Sequence, residues 1–253
     1  MTKAKQTIQG KAFEYACLDA ISRKLEKENK IIKKEQNQAY ETALKSYEQL
    51  PSSEKEKYLL AAETAIKIIL PLEPKLINED NDVPLLLSIS SDAIAKGCEG
   101  DVRDIICIRF KSNWEVGFSC KHNHQALKHP RITEAKEFGK VWLGYPCSKK
   151  YIDNMNKILQ PIEDFQKQNI CWKNIPNKID NFYVPILKEI IKEFQNICEH
   201  YADAPKKLLS YFFGSKDFYK IISLEKDKQT KVVAFNMNGT LNASSQNEKS
   251  IYK

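Results

Sequence analysis

The chain has 253 residues, 42 % of them hydrophobic, and a formal net charge of +7, enough for one large domain or two small ones with a buried core, and compatible with nucleic acid without proving it. It has no apolar run of about 18 residues, and its opening segment, MTKAKQTIQGKAFEYACL, lacks the apolar core of a signal peptide, so neither a transmembrane helix nor secretion is expected. Seven cysteines (Cys17, Cys98, Cys107, Cys120, Cys147, Cys171 and Cys198) are scattered, odd in number and without a CxxC pair, which argues against a disulfide framework or a cysteine zinc cluster and fits a reducing cytoplasm.

Phe13, Cys17, Ile21 and Leu25 recur at four-residue spacing and predict a first helix. The Lys-rich stretch Lys30–Lys34 reads as a solvated helix face. A second helix is expected over Ala39–Leu50. Pro51 breaks it, and Ser52 or Ser53 can cap a third, which carries Leu59, Leu60, Ala62, Ala65, Ile66 and Ile69 and stops near Pro71. Asn78–Asp82 reads as a loop. Strands are expected at Leu85–Ile89, then as a hairpin at Ile105–Phe110 and Trp114–Lys121, with another at Val141–Tyr145. Helices return at Lys149–Lys167, Val184–Tyr201 and Ala204–Phe213. Phe218–Leu224 and Val232–Asn236 are the last strands, parted by the charged turn Glu225–Lys228. The order implies an α/β (α+β) fold with a central mixed sheet flanked by helices. The expected division is a core over residues 1–200 and a C-terminal helix with a β-rich piece over 201–253.

The hairpin carries the chemistry. Residues two apart on a strand share a face, so Glu115, Gly117, Ser119 and Lys121 point one way, and Trp114, Val116, Phe118 and Cys120 point into the core. Gly117 leaves room for something to approach the backbone. Asp101 and Asp104 stand where the chain enters the first strand, and a hairpin brings that end beside Lys121. Single charges on such a face are ordinarily just solvated; the convergence of acids and a lysine is rarer. Carboxylates can hold Mg²⁺, and a lysine can orient a water or offset charge on a phosphate.

These residues resemble the PD-(D/E)xK nuclease core, in which an acid opens one strand and an acid-x-lysine triplet closes the next. More narrowly, the chain resembles the HaeIII-type restriction endonucleases in GKAFE (Gly10–Glu14), EGDVRDI (Glu99–Ile105), EVGFSCKHNHQALKHPR (Glu115–Arg131), WLGYPCS (Trp142–Ser148) and NMNGTLN (Asn236–Asn242). The resemblance implies a type II enzyme that cuts double-stranded DNA at GGCC with Mg²⁺, alongside a cognate methyltransferase acting on the same site. Lys121 fits the motif lysine, and Asp101 or Asp104 fits the leading aspartate. The acid expected two residues before the lysine is replaced by Ser119. Glu115 lies four residues before Ser119 on the same face, about 13 Å along an ideal strand. Glu14 is a further candidate ligand, because such folds often donate a glutamate from the first helix.

His122, Asn123 and His124 spell HNH, but an HNH nuclease disperses those residues over a ββα unit. A zinc site from His122, His124 and His129 lacks a partnering cysteine pair. DNA contact is the better reading: His122, His124, Lys128, His129 and Arg131 form a basic surface with Lys121. Asn123 and Arg131 have side chains that read base edges, and Lys128 and Arg131 are the candidates for guanine. The bland counterpart is phosphate contact or a solvated face.

The expected function is thus a Mg²⁺-dependent, site-specific endonuclease in the cytoplasm. Asp101 or Asp104, with Glu115 or Glu14, would hold the metal, and a homodimer would serve a palindromic site. The alternative is an inactive or truncated DNA-binding protein with a degenerate nuclease fold, motivated by Ser119 and by a polar tail that ends soon after NMNGTLN. A protein-interaction scaffold with a chance hairpin is the third reading.

Overall fold

A computed structural model of the chain describes residues 3–78, 83–91, 100–126, 130–242 and 248–252. Two compact units emerge, one from Met1–Lys96, Asp101–Leu127 and Ser215–Lys253, the other from Gly97–Gly100 and Lys128–Gly214. The contacts therefore do not divide the chain near residue 200. The strands after that point belong to the first unit's sheet, and the second unit occupies the connection between two of its strands.

The first unit begins with α1 (Lys3–Lys27), which ends at Asn29 in the left-handed region (φ 56°). The next segment is not the expected lysine-rich helix but a short edge strand, β1 (Ile32–Lys34). Its backbone pairs in parallel with β2 (Leu85–Ile89), a tertiary partner no local pattern discloses. Asn37 caps α2 (Gln38–Glu48) by accepting the Tyr40 N–H at 2.8 Å. α3 (Ser52–Ile69) starts with Pro51 at the cap and has no side-chain cap bond, so neither Ser52 nor Ser53 does the expected capping. Pro51 can stand there because its missing N–H would be unsatisfied at a helix start in any case.

The hairpin forms as expected, from β3 (Ile105–Arg109) and β4 (Trp114–His122) around a turn closed by Asn113 N–H donating to Phe110 O. Asn113 takes φ 48°, which suits asparagine better than a branched residue. β5 (Phe218–Leu224), β6 (Gln229–Phe235) and β7 (Glu248–Tyr252) complete a seven-stranded sheet in sequential order. The β1–β2 and β4–β5 pairs are parallel and the rest antiparallel. A parallel pair needs a long crossover, and the β4–β5 crossover is where the second unit is inserted.

The stripe Phe13, Cys17, Ile21 and Leu25 is buried with Tyr58, Ile66 and Ile69 of α3 against Leu87, Cys107, Val116, Phe118 and Cys120. Burying one helix-covered face fixes the register of β4 and thereby which residues share the other face.

The second unit is helical: α4 (Ile132–Ala135), α5 (Lys149–Lys167), α6 (Val184–His200) and α7 (Ala204–Phe213). Its core holds Phe138, Trp142, Leu143, Tyr151, Met155 and Phe182. The expected strand at Val141–Tyr145 is instead the end of a wide helical turn, Gly139–Leu143, closed by Gly144 at φ 75°. Its apolar run resembles a strand, but packing of Trp142 and Leu143 into a helical core decides the outcome. Among the described residues no helix is long and apolar enough to cross a membrane. Of the expected loop Asn78–Asp82, residues 79–82 lie outside the described residues, as do 243–247 of the polar tail.

Candidate active site

The acids of the hairpin divide into two groups. At the entry of β3, Asp104 is held by the ladder: its N–H donates to Phe118 O at 2.8 Å, and its carbonyl accepts from Ser90 N at 2.9 Å. Its Oδ2 accepts from the Cys120 N–H at 2.6 Å, from Lys121 Nζ at 3.0 Å and from Ser119 Oγ at 3.3 Å. Among the described residues these bonds all fall on Oδ2, which leaves Oδ1 to a further ligand. Ser119, standing where the motif acid was expected, thus serves as a donor that orients Asp104.

Asp101 is engaged elsewhere. Its carboxylate takes Arg103 in a fork, with Nε at 2.9 Å and Nη2 at 2.6 Å, and also accepts the Arg103 N–H. Arg103 Nη1 reaches Glu115 Oε1 at 3.1 Å, and Lys216 Nζ lies 3.2 Å from the same oxygen. Gly117 makes this possible: a Cβ there would lie 2.0 Å from Arg103 Cδ. The side chain that approaches the backbone at Gly117 is therefore the protein's own arginine. Although burial opposes the Arg103 charge, Asp101 and Glu115 raise its pKa; burial of Glu115 is likewise outweighed by Arg103 and Lys216, which lower that carboxyl.

Glu14 comes from α1, one turn before Cys17, and is buried. Burial first, and then the charge of Asp104, push its carboxyl up to about 8, against the pull of Lys11 at 3.1 Å. Burial is thus the main cause of the Glu14 shift, and the like charge of Asp104 adds to it. Burial would lower the Lys121 ammonium, but Asp104 outweighs it and raises the pKa, so this lysine is a fixed cation. Lys220 of β5 stands in register with Ser119 and is also buried. It is not among the residues expected from the sequence, although a lone lysine inside the apolar run FYKIISL is itself a signal. Arg103 is not among them either; its place between two aspartates in DVRD could have disclosed the ion pair.

The segment behind the hairpin is less uniform than expected. His122 is buried rather than presented to DNA, with its ring 4.5 Å from Tyr58 and 5.9 Å from Phe13. Asn123 takes φ 60° and ties β4 to the β5–β6 turn, its Oδ1 accepting from Glu225 N at 2.9 Å and its Nδ2 lying 2.8 Å from His122 Nε2. The alternating strand pattern carries one residue further than expected and turns His122 into the core. His124 is exposed, and Arg131 is exposed in the second unit at the start of α4. Lys128 and His129 lie outside the described residues.

Comparison with known proteins bears on the whole chain. The family model of the HaeIII restriction endonuclease matches residues 10–253. The chain belongs to the HaeIII restriction endonuclease family. A curated relative, the type II restriction enzyme HaeIII of Haemophilus aegyptius, is 39 % identical over 246 residues, which cover 97 % of this chain and 76 % of the relative. No solved structure matches. Family membership makes the chain a site-specific restriction endonuclease acting on double-stranded DNA, and implies a divalent metal cofactor.

The residues present can be tested against such a metal. Among the described residues no group of three or more His, Cys, Asp or Glu side chains could hold one. Of the four expected ligands, Asp101 and Glu115 are occupied by Arg103. Asp104 and Glu14 remain, and both offer the hard oxygens a divalent cation of this type prefers. Burial and, after it, the Asp104 charge raise the Glu14 carboxyl, and a bound cation would offset both. The donor set fits.

Proposed function

We propose that this family member cleaves GGCC in double-stranded DNA with Mg²⁺, in the bacterial cytoplasm, opposite a methyltransferase that protects the same sequence. The observation that carries the assignment of the site is the Lys121–Asp104 pair at 3.0 Å, whose charges reach the buried Glu14 carboxyl. Asp104 and Glu14 hold the metal, and Lys121 acts on the phosphate. When bound, Mg²⁺ supplies Lewis-acid stabilisation of charge on the phosphate. Ser119 and the Cys120 N–H hold the Asp104 carboxylate in place. Lys121 spends one of its three donors on Asp104 and directs the others at water and at charge developing on the phosphate oxygens. Exposed His124 and Arg131, with Lys128 and His129, grip the DNA, and Arg131 and Lys128 read guanine. Two such subunits would match the two strands of a palindrome.

The shortage of a third ligand among the described residues favours a second reading, a degenerate nuclease that binds DNA without cutting it. Digestion of unmethylated plasmid separates the two. Fragments mapping to GGCC with Mg²⁺, absent with EDTA, with plasmid premethylated at GGCC, or with Lys121→Ala, support the endonuclease. Binding without any cutting supports the degenerate form. Sedimentation of the protein on a GGCC duplex reads one or two subunits per site.

A further inference from the structure

Lys220 is a buried cation that makes no ion pair with any of the described residues. It is 6 % exposed, on a strand whose other residues are mostly apolar. Its register partner across the parallel β4–β5 pair is Ser119, and partners in register share a face. Ser119 in turn donates to Asp104. Lys220 is thus one strand away from the Asp104–Lys121 pair and on the same side of the sheet as Lys121. Its Nζ donates to the main-chain carbonyl of Gln125, in the exposed segment just beyond β4. Among the described residues Lys220 makes no ion pair.

An ammonium withdrawn from water without a counter-charge is costly. Burial, and then the neighbouring Lys121 charge, draw its pKa down to about 8. Lys121 cannot compensate it, being a cation already matched to Asp104. At this end of the face two ammoniums, Lys121 and Lys220, accordingly stand beside the Asp104 carboxylate that Lys121 already engages, an arrangement that an anion from outside would complete. Lys220 has three donors, and the Gln125 carbonyl takes one.

We propose that Lys220 is a second catalytic lysine, whose ammonium binds a non-bridging oxygen of the scissile DNA phosphate beside Lys121. This rests on the nuclease reading of the Asp104–Lys121 site and adds a residue to it. In that role Lys220 has little work to do in the free protein and gains its counter-charge only when the phosphodiester arrives. Charge stabilisation of this kind is strongest where water is excluded.

The test is Lys220→Met, which keeps the length of the apolar stem and removes the ammonium, with Lys220→Arg as the conservative variant. Single-turnover cleavage of a GGCC duplex, assayed well below each variant's melting temperature, is expected to fall about 100-fold in Lys220→Met. The melting temperature should hold or rise, because an uncompensated buried charge has been removed, and Lys220→Arg should recover part of the rate. Cleavage by Lys220→Met within about threefold of wild type overturns the proposal. So does a fall in melting temperature that Lys220→Arg restores without restoring cleavage, the mark of a tether to Gln125. A wild-type protein that does not cut defeats the nuclease reading separately. The phosphate contact is then judged on binding to the same duplex in EDTA. Loss of one contact should make the slope of log affinity against log salt shallower by about one, and an unchanged slope overturns it.

Discussion

The two acidic groups on the hairpin face differ in how completely the protein satisfies them. Asp101 and Glu115 enclose Arg103, whose side chain is 4 % exposed, in a fork that uses the guanidinium's planar donors. That group is closed, with its charges matched from within. Asp104 is paired with Lys121 and its charge reaches buried Glu14, while Lys220 makes no ion pair among the described residues. On the proposed reading that group is left unbalanced in the free protein and would be completed by a cation and an anion together. A closed ion cluster holds a loop to a strand, whereas an incomplete one is where a substrate finds its binding energy.

Asp104→Asn should strike the open group at its centre. It removes a ligand and the partner of Lys121, and cleavage should fall by about 1000-fold or more in a single-turnover assay. A loss under about tenfold would move the centre elsewhere. Asp101→Asn should damage stability instead of activity. It leaves a buried guanidinium partly unmatched, costing about 2–3 kcal/mol in denaturant unfolding, while cleavage by the folded protein stays within about threefold. Equal damage to both properties would merge the two groups into one.

Gly117→Ala tests why the closed group can form at all. The new methyl would occupy the space of the Arg103 side chain, so unfolding should show a loss of about 1–3 kcal/mol. Combined with Arg103→Ala, the penalty of the glycine substitution should vanish, a coupling read by a double-mutant cycle.

Glu14 probes the open group through pH. Its folded pKa is raised to about 8 from an ordinary 4.5. Protonation is thus favoured in the folded state, and the stability it contributes is complete below about 4.5 and lost as pH rises through about 8. In EDTA, wild-type melting temperature should therefore decline across that window more steeply than that of Glu14→Gln. Added Mg²⁺ should flatten the wild-type decline near pH 8. The same slope in both proteins would remove Glu14 from the pocket. The smallest effect is expected of Glu115→Gln. At 36 % side-chain exposure its ion pairs are partly screened, and unfolding should change by about 1 kcal/mol or less.

Local pattern was enough to establish the hairpin, the first-helix stripe, most of the helices and strands, and the family, because these rest on periods of two and four residues and on a run of characteristic blocks. It also placed Lys121, Asp104 and Glu14 among the candidates. The proposed choice among those candidates draws on contacts in three dimensions. Asp101 and Asp104 are three residues apart and chemically alike, and what parts them is where Arg103 turns, which depends on the space above Gly117. His122 reads as a DNA contact, yet the sheet register places its ring against Tyr58. Lys220 lies 99 positions beyond Lys121 in the chain and joins it through a parallel strand pairing. Val141–Tyr145 reads as a strand locally, yet its first three residues are helical because of what packs around Trp142. In each case the deciding interaction is with a residue distant in sequence, and local pattern carries no information about such partners.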